Sequence, residues 1–345
     1  MQRSIFNPLL HSKSPFMIPE NKQQAVKKAL QTTFKVEEYD SILQLTKGLS
    51  SALVFKIEIK DKPYLLRIVT RTDAHGDPSF YYGCMKVAAD KQVAPAVHYL
   101  SIEDWVSITD FVMEQSFSIQ QAQATLPQLL NQLHALPKFP FRINYFSSME
   151  KWLPQFATSK ILPEAEITDL INKYQHIVSV YPVNDVDNWV SCHNDSKPEN
   201  IVFDGQRPWF VDWESAFLND RYLDLAMVGN FIVINEQDEK SFLKNYFSQE
   251  ASEYQMARFF IMQVILHLYY FTFLMVFDNG EKPIDTTSII KHDFRDFHNS
   301  IWEGNISLAN TQSKREYAVV HLEQFRVKTQ TKRFEDAIAT LKQQA

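Results

Sequence analysis

Glycine is scarce in this chain, with only seven glycines among 345 residues. The sequence contains neither a Walker A signature nor a Gly-x-Gly-x-x-Gly loop. Both motifs need glycine where the backbone approaches a phosphate group closely. We therefore exclude a P-loop enzyme and a dinucleotide-binding fold.

Positive charge and cysteine are also in short supply. The formal net charge is -6, the sequence pI is near 5.9, and no dense run of Lys and Arg occurs, so we expect no binding to nucleic acid. The two cysteines, Cys84 and Cys192, favour a reducing, cytoplasmic compartment over a disulfide framework. We interpret Cys192 as a small buried residue, with a catalytic thiol as the alternative.

No apolar run of signal-peptide length occurs in residues 1–28, and we expect no targeting signal. The longest apolar stretch covers residues 259–277, where Gln263 and His267 interrupt it. Its length approaches that of a membrane span. We predict a buried helix and no stable membrane insertion, and the transmembrane helix stays open as the alternative.

The stretch HNDSKPEN at residues 193–200, with Asp212 twelve residues further on, supplies the groups that phosphoryl transfer requires. A carboxylate must take the proton of the attacking hydroxyl, a cation must lie near the transferred oxygens, and oxygen ligands must hold Mg²⁺ on the nucleotide phosphates. Asp195 and Lys197 fit the first two roles, although Lys197 could equally be a solvated side chain. Asn200 and Asp212 fit the metal-binding role.

A hairpin is expected directly after Asn200. Residues 201–203 and 209–211 are short apolar strands, and Asp204-Gly205 between them is a strong turn signal. Cross-strand neighbours lie ~5 Å apart, and the rise along a strand is ~3.3 Å per residue. Asn200 and Asp212 can therefore reach one cation, and Mg²⁺ commonly takes only one or two protein ligands beside phosphate oxygens.

The pattern His-x-Asp-x-x-x-x-Asn followed by a strand that ends in Asp resembles the protein-kinase-like superfamily. Asp212-Trp213-Glu214 and the segment NDRYLDLA at residues 219–226 resemble the small-molecule branch, which contains aminoglycoside phosphotransferases and choline or ethanolamine kinases, and bacterial choline-kinase-like proteins in particular. The resemblance implies a bilobal α+β fold, with an antiparallel-sheet lobe at residues 1–113 and a larger, mainly helical lobe at residues 114–345. It also implies that Asp224 is a buried brace for the catalytic loop.

Residues of the first lobe take nucleotide-binding roles by the same resemblance. The turn at residues 46–51 lies where kinase-like folds cover the phosphates, so Ser50 and Ser51 are candidate phosphate ligands. Arg67 occupies the position of the strand lysine of protein kinases and can form bidentate hydrogen bonds to phosphate oxygens. The segment at residues 108–113 resembles the hinge strand, in which Phe111 and Val112 would offer backbone groups to adenine.

One element of the kinase pattern is missing. Kinase-like folds place a glutamate in the helix after this strand to pair with the strand cation, but residues 79–92 contain none. Tyr81 or Tyr82 occupies that region, and Asp73 or Asp77 is the alternative partner for Arg67. A catalytically weak nucleotide-binding scaffold is therefore an alternative to an active enzyme.

A small hydroxyl compound is the expected acceptor. Only seven residues separate Asp212 from Asp220, and no Ala-Pro-Glu anchor follows, so the activation segment of protein kinases is absent. An amino alcohol such as choline or ethanolamine would call for aromatic faces, and the candidates are Trp213, Tyr269, Tyr270 and Trp302. A polyamine sugar, the aminoglycoside alternative, would call for carboxylates, and the candidates are Glu214, Asp220 and Glu303. We therefore predict a small-molecule kinase that uses ATP and Mg²⁺ as cofactors. Residues 312–345 form a charged helical ending. The role of this segment and the oligomeric state of the protein are not predicted.

Periodicity and turn residues also predict individual elements. They are a helix over residues 19–33, strands over residues 41–46, 52–59, 64–69, 97–100 and 107–113, a helix start at Asp77-Pro78-Ser79, and a helix from Ser118 onward.

Overall fold

The computed structural model describes residues 18–45, 52–71, 76–278 and 286–344. The chain forms two compact units, the first made of Met1–Ser118 with Glu199–Phe217 and the second of Ile119–Pro198 with Leu218–Ala345. In chain order the helices and strands are α1 (Glu20–Phe34), β1 (Ser41–Leu45), β2 (Ala52–Ile59), β3 (Lys62–Val69), α2 (Tyr82–Asp90), β4 (Val97–Ser101), β5 (Val106–Asp110), α3 (Ile119–His134), α4 (Tyr145–Thr158), α5 (Glu164–Val178), β6 (Trp189–Cys192), β7 (Ile201–Phe203), β8 (Pro208–Phe210), β9 (Phe217–Asp220), α6 (Arg221–Ile232), α7 (Glu236–Phe247), α8 (Glu253–Val276), α9 (Phe294–Trp302), α10 (Thr311–Thr329) and α11 (Lys332–Lys342).

A five-stranded antiparallel sheet with the order β1-β2-β3-β5-β4 forms the centre of the first unit. Strand β2 alternates between partly exposed and buried residues, so Phe55, Ile57 and Ile59 face one side. Helix α1 covers that side with Val26 and Leu30 in the same core cluster. The predicted helix at residues 19–33 and the predicted meander are therefore confirmed.

The helix start expected near residue 77 is confirmed with a change of detail. Asp77 accepts a hydrogen bond from the Ser79 N–H at 2.9 Å and caps a single 3₁₀ turn, Pro78–Phe80. The α-helix α2 begins only at Tyr82. The strand predicted over residues 107–113 ends at Asp110.

The predicted hairpin is present as β7 and β8, with Ile201 paired to Phe210. The N–H of Val211 donates to the Asn200 carbonyl at 3.0 Å, as the folding of the chain about Asp204 and Gly205 requires. Gly205 has a φ of +97°, which a residue with a side chain rarely adopts.

The hairpin belongs to the first unit, whereas the domain prediction assigned residues 199–217 to the second. Two backbone hydrogen bonds hold it there, from Gln115 N–H to the Phe203 carbonyl at 2.7 Å and from Phe210 N–H to the Val93 carbonyl at 3.1 Å. The rings of Phe117 and Phe203 stack with centroids 4.6 Å apart. These contacts join the hairpin to connecting segments far away in sequence, so the periodicity of the chain does not reveal them.

Helix α8 is the central helix of the second unit and is buried along most of its length. Ser252 and Gln255 form a capping box at its start. Among the described residues, α8 is long and apolar enough to cross a membrane by length and composition alone, and 72% of its most apolar window is buried. It packs on α6, α10 and α11. The predictions of a buried helix over this apolar stretch and of a helical ending are confirmed.

Helices α6 and α8 approach closely at Gly229. A Cβ atom at this position would lie 2.6 Å from Cζ of the buried Phe259. We expect Gly229→Ala to lower the free energy of unfolding by about 1–3 kcal/mol, because the extra methyl group overpacks the helix contact. Urea denaturation followed by circular dichroism measures this change.

Gly83 of α2 is the matched control, because a Cβ there meets nothing within 4 Å. We expect Gly83→Ala to raise the free energy of unfolding by about 0.5–1 kcal/mol through helix propensity. Equal effects of the two substitutions would contradict the close approach of α6 to α8.

Candidate active site

The loop after β6 is held by the carboxylate of Asp224, a fully buried residue of α6. The backbone N–H groups of His193 and Asn194 each donate to it at 2.8 Å, and the hydroxyl of Ser196 donates at 2.9 Å. Asn194 has a φ of +62°, a conformation that lets two successive N–H groups point at one carboxylate. The prediction that Asp224 braces this loop is confirmed.

A buried histidine completes the set of donors to Asp224. Nε2 of His134 lies 3.3 Å from its carboxylate, and Nδ1 of His134 lies 2.6 Å from the Tyr246 hydroxyl. Because a carboxylate only accepts, the network assigns the proton to Nε2 and makes Nδ1 the acceptor from Tyr246. Burial lowers the pKa of His134 despite this contact, so the ring is neutral. His134 is a packed structural histidine, as predicted.

Asp224 is ionised in this environment. Burial by itself raises the pKa of a carboxyl, but the hydrogen bonds from His134 and from the His193 N–H outweigh it and hold the pKa of Asp224 below its usual range. Cys192 lies nearby, with its thiol 3.5 Å from the Asn219 carbonyl. Burial raises the pKa of the Cys192 thiol well above its usual value, which agrees with a small buried residue and not with a catalytic thiolate.

Asp195 and Lys197 are brought together on this loop. The Lys197 ammonium donates to Asp195 Oδ2 at 2.8 Å, and both side chains are partly exposed. Lys197 is therefore an ion-paired side chain rather than a solvated one. The sequence placed both residues in the loop but did not reveal the contact between them.

An aromatic group in the same unit lies within the electrostatic reach of Asp195. The rings of Tyr145 and Tyr269 stack with centroids 4.0 Å apart, and Trp152 packs edge-on against Tyr269 at 5.1 Å. Burial raises the pKa of Tyr269 to about 12, and the negative charge of Asp195 adds to this shift. Burial, its tyrosine neighbours and Asp195 raise the pKa of Tyr145 as well. Tyr269 was among the predicted acceptor residues, whereas Tyr145 and Trp152, which precede the loop by about forty residues or more, were not.

The two predicted metal ligands lie on the hairpin of the first unit. Asn200 is buried and ends the turn before β7, while Asp212 lies two residues after the end of β8. Asp212 has a φ of +60°, which is uncommon for a residue with a side chain although aspartate tolerates it better than most. Such strained positions occur preferentially at functional sites.

Arg67 of β3 contacts two carboxylates of the first unit. Its guanidinium donates to Asp212 Oδ1 at 2.8 Å and to Glu214 Oε1. Burial lowers the pKa of this arginine, but Asp212 and Glu214 more than compensate, and the net direction is upward. Burial raises the pKa of Glu214, and Arg67 opposes that rise.

Glu214 is the residue that the sequence analysis did not recognise as the partner of Arg67. The kinase pattern places this carboxylate in the helix after β3, whereas here it comes from the 3₁₀ turn that follows Asp212. The sequence did contain a sign of this role, because Glu214 stands where protein kinases have the glycine of Asp-Phe-Gly. Of the two alternative partners, Asp77 caps its own turn, and Asp73 lies outside the described residues.

The remaining candidates for nucleotide binding are Ser50, Ser51, Phe111 and Val112. Ser50 and Ser51 lie outside the described residues. The ladder between β3 and β5 ends at Asp110, so Phe111 and Val112 come immediately after it. The Lys56 ammonium lies 5.5 Å from the centroid of the Phe111 ring.

Several acceptor candidates are committed to other contacts. Asp220 is buried and accepts hydrogen bonds from Arg258 and from the Tyr181 hydroxyl, each at 2.7 Å. Glu214 pairs with Arg67. Trp213 is 2% exposed and its indole N–H donates to the Phe210 carbonyl. Two of the three carboxylates proposed for a polyamine sugar thus already form ion pairs within the protein.

A family model described as "Phosphotransferase enzyme family" matches residues 41–260. The chain belongs to this family. A curated relative, protein LicA of Haemophilus influenzae, is 26% identical over 172 residues, covering 46% of this chain and 63% of LicA. The match to a LicA homologue of Mycoplasma capricolum covers 52% of that protein, so this member of the phosphotransferase family spans less than two thirds of the length of both relatives.

Solved structures show the fold. A choline/ethanolamine kinase family protein from Mesorhizobium loti superposes with a TM-score of 0.67 at 20% identity, covering 93% of this chain and 99% of that one. An ADP-bound aminoglycoside phosphotransferase superposes with a TM-score of 0.54 at 14% identity, covering 85% and 98%. The predicted α+β kinase-like fold is confirmed.

Removing the charge of Asp224 tests whether its carboxylate holds the loop after β6. We expect Asp224→Asn to lower the free energy of unfolding by about 3 kcal/mol at neutral pH, because several buried donors lose their ionised acceptor. A carboxylate with a depressed pKa stabilises the fold above its unfolded-state pKa, and that contribution disappears on acidification. The difference between wild type and variant should therefore shrink below about pH 4.

Asp169→Asn is the control for this substitution. Asp169 pairs with Lys173 at the surface of α5, where an exposed ion pair contributes little. Chemical denaturation at several pH values separates the two variants. A pH-independent difference for Asp224→Asn would show that its carboxylate is not the ionised acceptor.

Proposed function

We propose that this protein transfers the γ-phosphate of ATP to the hydroxyl of a small amino alcohol related to choline or ethanolamine. The carrying observation is the loop at residues 193–200, in which Asp224 holds the backbone while Asp195, paired with Lys197, lies in electrostatic reach of Tyr145 and Tyr269. A base beside aromatic faces suits an acceptor with a hydroxyl at one end and an ammonium at the other.

Asp195 is the proposed general base. Its carboxylate takes the proton of the acceptor hydroxyl as the acceptor oxygen bonds to the γ-phosphorus, while the bond from that phosphorus to the β–γ bridging oxygen breaks and ADP leaves. Lys197 orients the Asp195 carboxylate through their ion pair and adds positive charge next to the transferred group. The brace by Asp224 keeps the loop rigid, which matters because proton transfer depends on close positioning.

The donor set on the hairpin fits Mg²⁺. Asn200 and Asp212 offer an amide and a carboxylate oxygen, the hard ligands that this ion prefers. Two carboxylates, Asp212 and Glu214, share one guanidinium from Arg67, so the group retains one net negative charge when both are ionised. When bound, Mg²⁺ would neutralise charge that develops on the phosphate oxygens. Asn200 and Asp212 are the residues we assign to hold it.

Nucleotide binding is assigned to the first unit. The use of adenine nucleotide is supported by the ADP-bound relative of the same fold. Arg67, anchored by Asp212 and Glu214, would contact phosphate oxygens, and Phe111 and Val112 would offer backbone groups to the adenine edge beyond the end of the β3–β5 ladder. Ser50 and Ser51 stay proposed phosphate ligands.

The two alternative functions lose support. A polyamine sugar would need accessible carboxylates, and Asp220 is buried and already paired with Arg258. The scaffold hypothesis rested on an Arg67 without a partner, whereas Glu214 supplies one. The buried free thiols of Cys84 and Cys192 agree with a cytoplasmic enzyme, which we include in the proposal.

The experiment for the whole proposal is ADP release with Mg²⁺ and ATP across a panel of amino alcohols and aminoglycosides. We expect turnover with choline or ethanolamine and none with the aminoglycosides. Turnover with an aminoglycoside alone would identify the alternative enzyme. Nucleotide binding with no turnover on any member of the panel would contradict the proposal.

Two substitutions separate the roles of base and metal ligand. We expect Asp195→Asn to leave Mg²⁺-ATP affinity within about twofold of wild type while kcat falls by about a hundredfold or more, because general-base catalysis contributes on that scale. Asp212→Ala should abolish Mg²⁺-ATP binding itself. Isothermal titration with ATP and steady-state kinetics measure both.

Asp187→Asn, an exposed position before β6, is the control for charge removal. Both activity and nucleotide affinity should match wild type. Equal loss of nucleotide binding in the Asp195 and Asp212 variants would contradict the assignment of Asp195 as general base and Asp212 as metal ligand.

Tyr269 is expected to recognise the acceptor. Tyr269→Leu should raise KM for choline by about tenfold with little change in KM for ATP, because a cation–π contact contributes about 1–2 kcal/mol when desolvated. Tyr254→Leu near the start of α8, at a partly buried site of the same helix, is the control. If both variants raise the choline KM equally, Tyr269 has no specific contact with the acceptor.

A further inference from the structure

A polar cavity of about 330 Å³ lies in the second unit. Its lining comes from α6 to α11, and it includes none of the residues assigned above to catalysis, nucleotide or acceptor. Asn230, Glu239 and Gln263 line it as buried residues, and Arg295 and Lys328 as partly buried ones. The proposed reaction leaves this cavity without a role.

Lys328 of α10 is the cation whose charge is least compensated there. Its ammonium donates to the neutral amide oxygen of Gln263 at 3.2 Å and lies 4.9 Å from the centroid of the Phe260 ring. In the described part of the chain it forms no ion pair with a carboxylate. Burial lowers the pKa of Lys328 to about 8, and the positive charge of Arg333 contributes to the shift.

The neighbouring charges are already engaged. Arg333 pairs with Glu239 and also lies over Phe260, 4.3 Å from the ring centroid. Arg295 donates to the carbonyls of Phe231 and Val233 at 2.8 and 2.7 Å, which satisfies the end of α6. The buried and partly buried charges of the lining are thus Arg295, Lys328 and Glu239. The exposed Arg333, Glu236 and Asp293 bring the whole lining to three cations and three carboxylates, so the excess of positive charge is confined to the buried part.

The carboxamide of Asn230 adds a second, independent observation. This side chain is 3% exposed, and its Nδ2 has no hydrogen-bond partner among the described residues. A buried amide without a partner costs free energy, and buried polar groups nearly always have one. Asn230 belongs to the cavity lining, but its Nδ2 lies below the accessible surface, so the missing contact forms when the carboxamide turns toward a molecule in the cavity.

We propose that this cavity binds a small organic molecule through a carboxylate or phosphate group, which contacts Lys328, while the rest of the molecule hydrogen-bonds Asn230. An oxyanion pairs with the uncompensated ammonium, and the volume leaves room for more than the charged group. Helices α10 and α11, which the reaction does not use directly, acquire a function as walls of this site.

Calorimetric titration of the full chain with malonate and with inorganic phosphate, at constant ionic strength, tests the proposal. We expect at least one probe to bind wild type and Lys328→Met to bind it about tenfold more weakly, because a charge-assisted contact is lost. Lys328→Arg should retain binding, and Lys342→Met, at an exposed lysine of α11, should leave it unchanged. Tighter binding of malonate points to a carboxylate ligand, and tighter binding of phosphate to a phosphate ligand.

Absence of binding by both probes would overturn the proposal, as would equal affinity in wild type and Lys328→Met. A second measurement needs no variant. Acetylation of wild type at pH 8, read by mass spectrometry, should modify Lys328 more slowly when the binding probe is present, whereas Lys342 in the same digest should be unaffected. Equal protection of the two lysines, or of neither, would also overturn it.

The affinity for malonate should fall as the pH rises through about 8, because the Lys328 ammonium loses its proton. The other charged or titratable groups that face Lys328 or line the same cavity are Arg333 of α11, Arg295 of α9, Asp293 before α9, Glu236 and Glu239 of α7, and His267 of α8. Burial and His321 lower the pKa of His267 well below its usual value, so this ring stays neutral over the tested range. An affinity that does not change between about pH 7 and 9 would contradict the contact with Lys328.

Discussion

The buried carboxylate of Asp224 is the contact on which the proposed catalytic loop depends. Two successive backbone N–H groups, a serine hydroxyl and a neutral histidine all donate to it. A buried carboxylate is costly unless it is hydrogen-bonded, and the same donors that satisfy it also determine the path of the loop. The positive φ of Asn194 is a consequence, since the backbone must turn sharply to aim two N–H groups at one acceptor.

A second constraint operates in the first unit, where the carboxylate that pairs with Arg67 of β3 does not come from the following helix, α2. Arg67 is held by Glu214, two residues after the proposed metal ligand Asp212, and by Asp212 itself. The arginine, its anchor and the metal ligand therefore form one electrostatic group. Helix α2 has no need of a glutamate, and its first residues include the buried Tyr82 instead.

The second unit is organised around the apolar helix α8. Its core-facing residues bury against several helices, yet Gln263 and its neighbours leave polar groups at one place where α6, α9, α10 and α11 meet. Polar groups that remain in such a position need partners. The uncompensated Lys328 and the orphan amide of Asn230 are what make this cavity different from a packing defect.

Local patterns determined much of this protein. The hairpin at residues 201–210, helix α1, the meander and the buried α8 followed from periodicity and turn residues, because these signals act over a few neighbouring positions. The spacing of Asp195, Asn200 and Asp212 pointed to phosphoryl transfer for the same reason, since all three lie within eighteen residues of sequence. The pairing of Arg67 with Glu214, the stacking of Tyr145 on Tyr269, the unit to which the hairpin belongs and the charge left on Lys328 were decided only by tertiary structure. Each depends on contacts between residues far apart in the chain, which a local pattern does not encode.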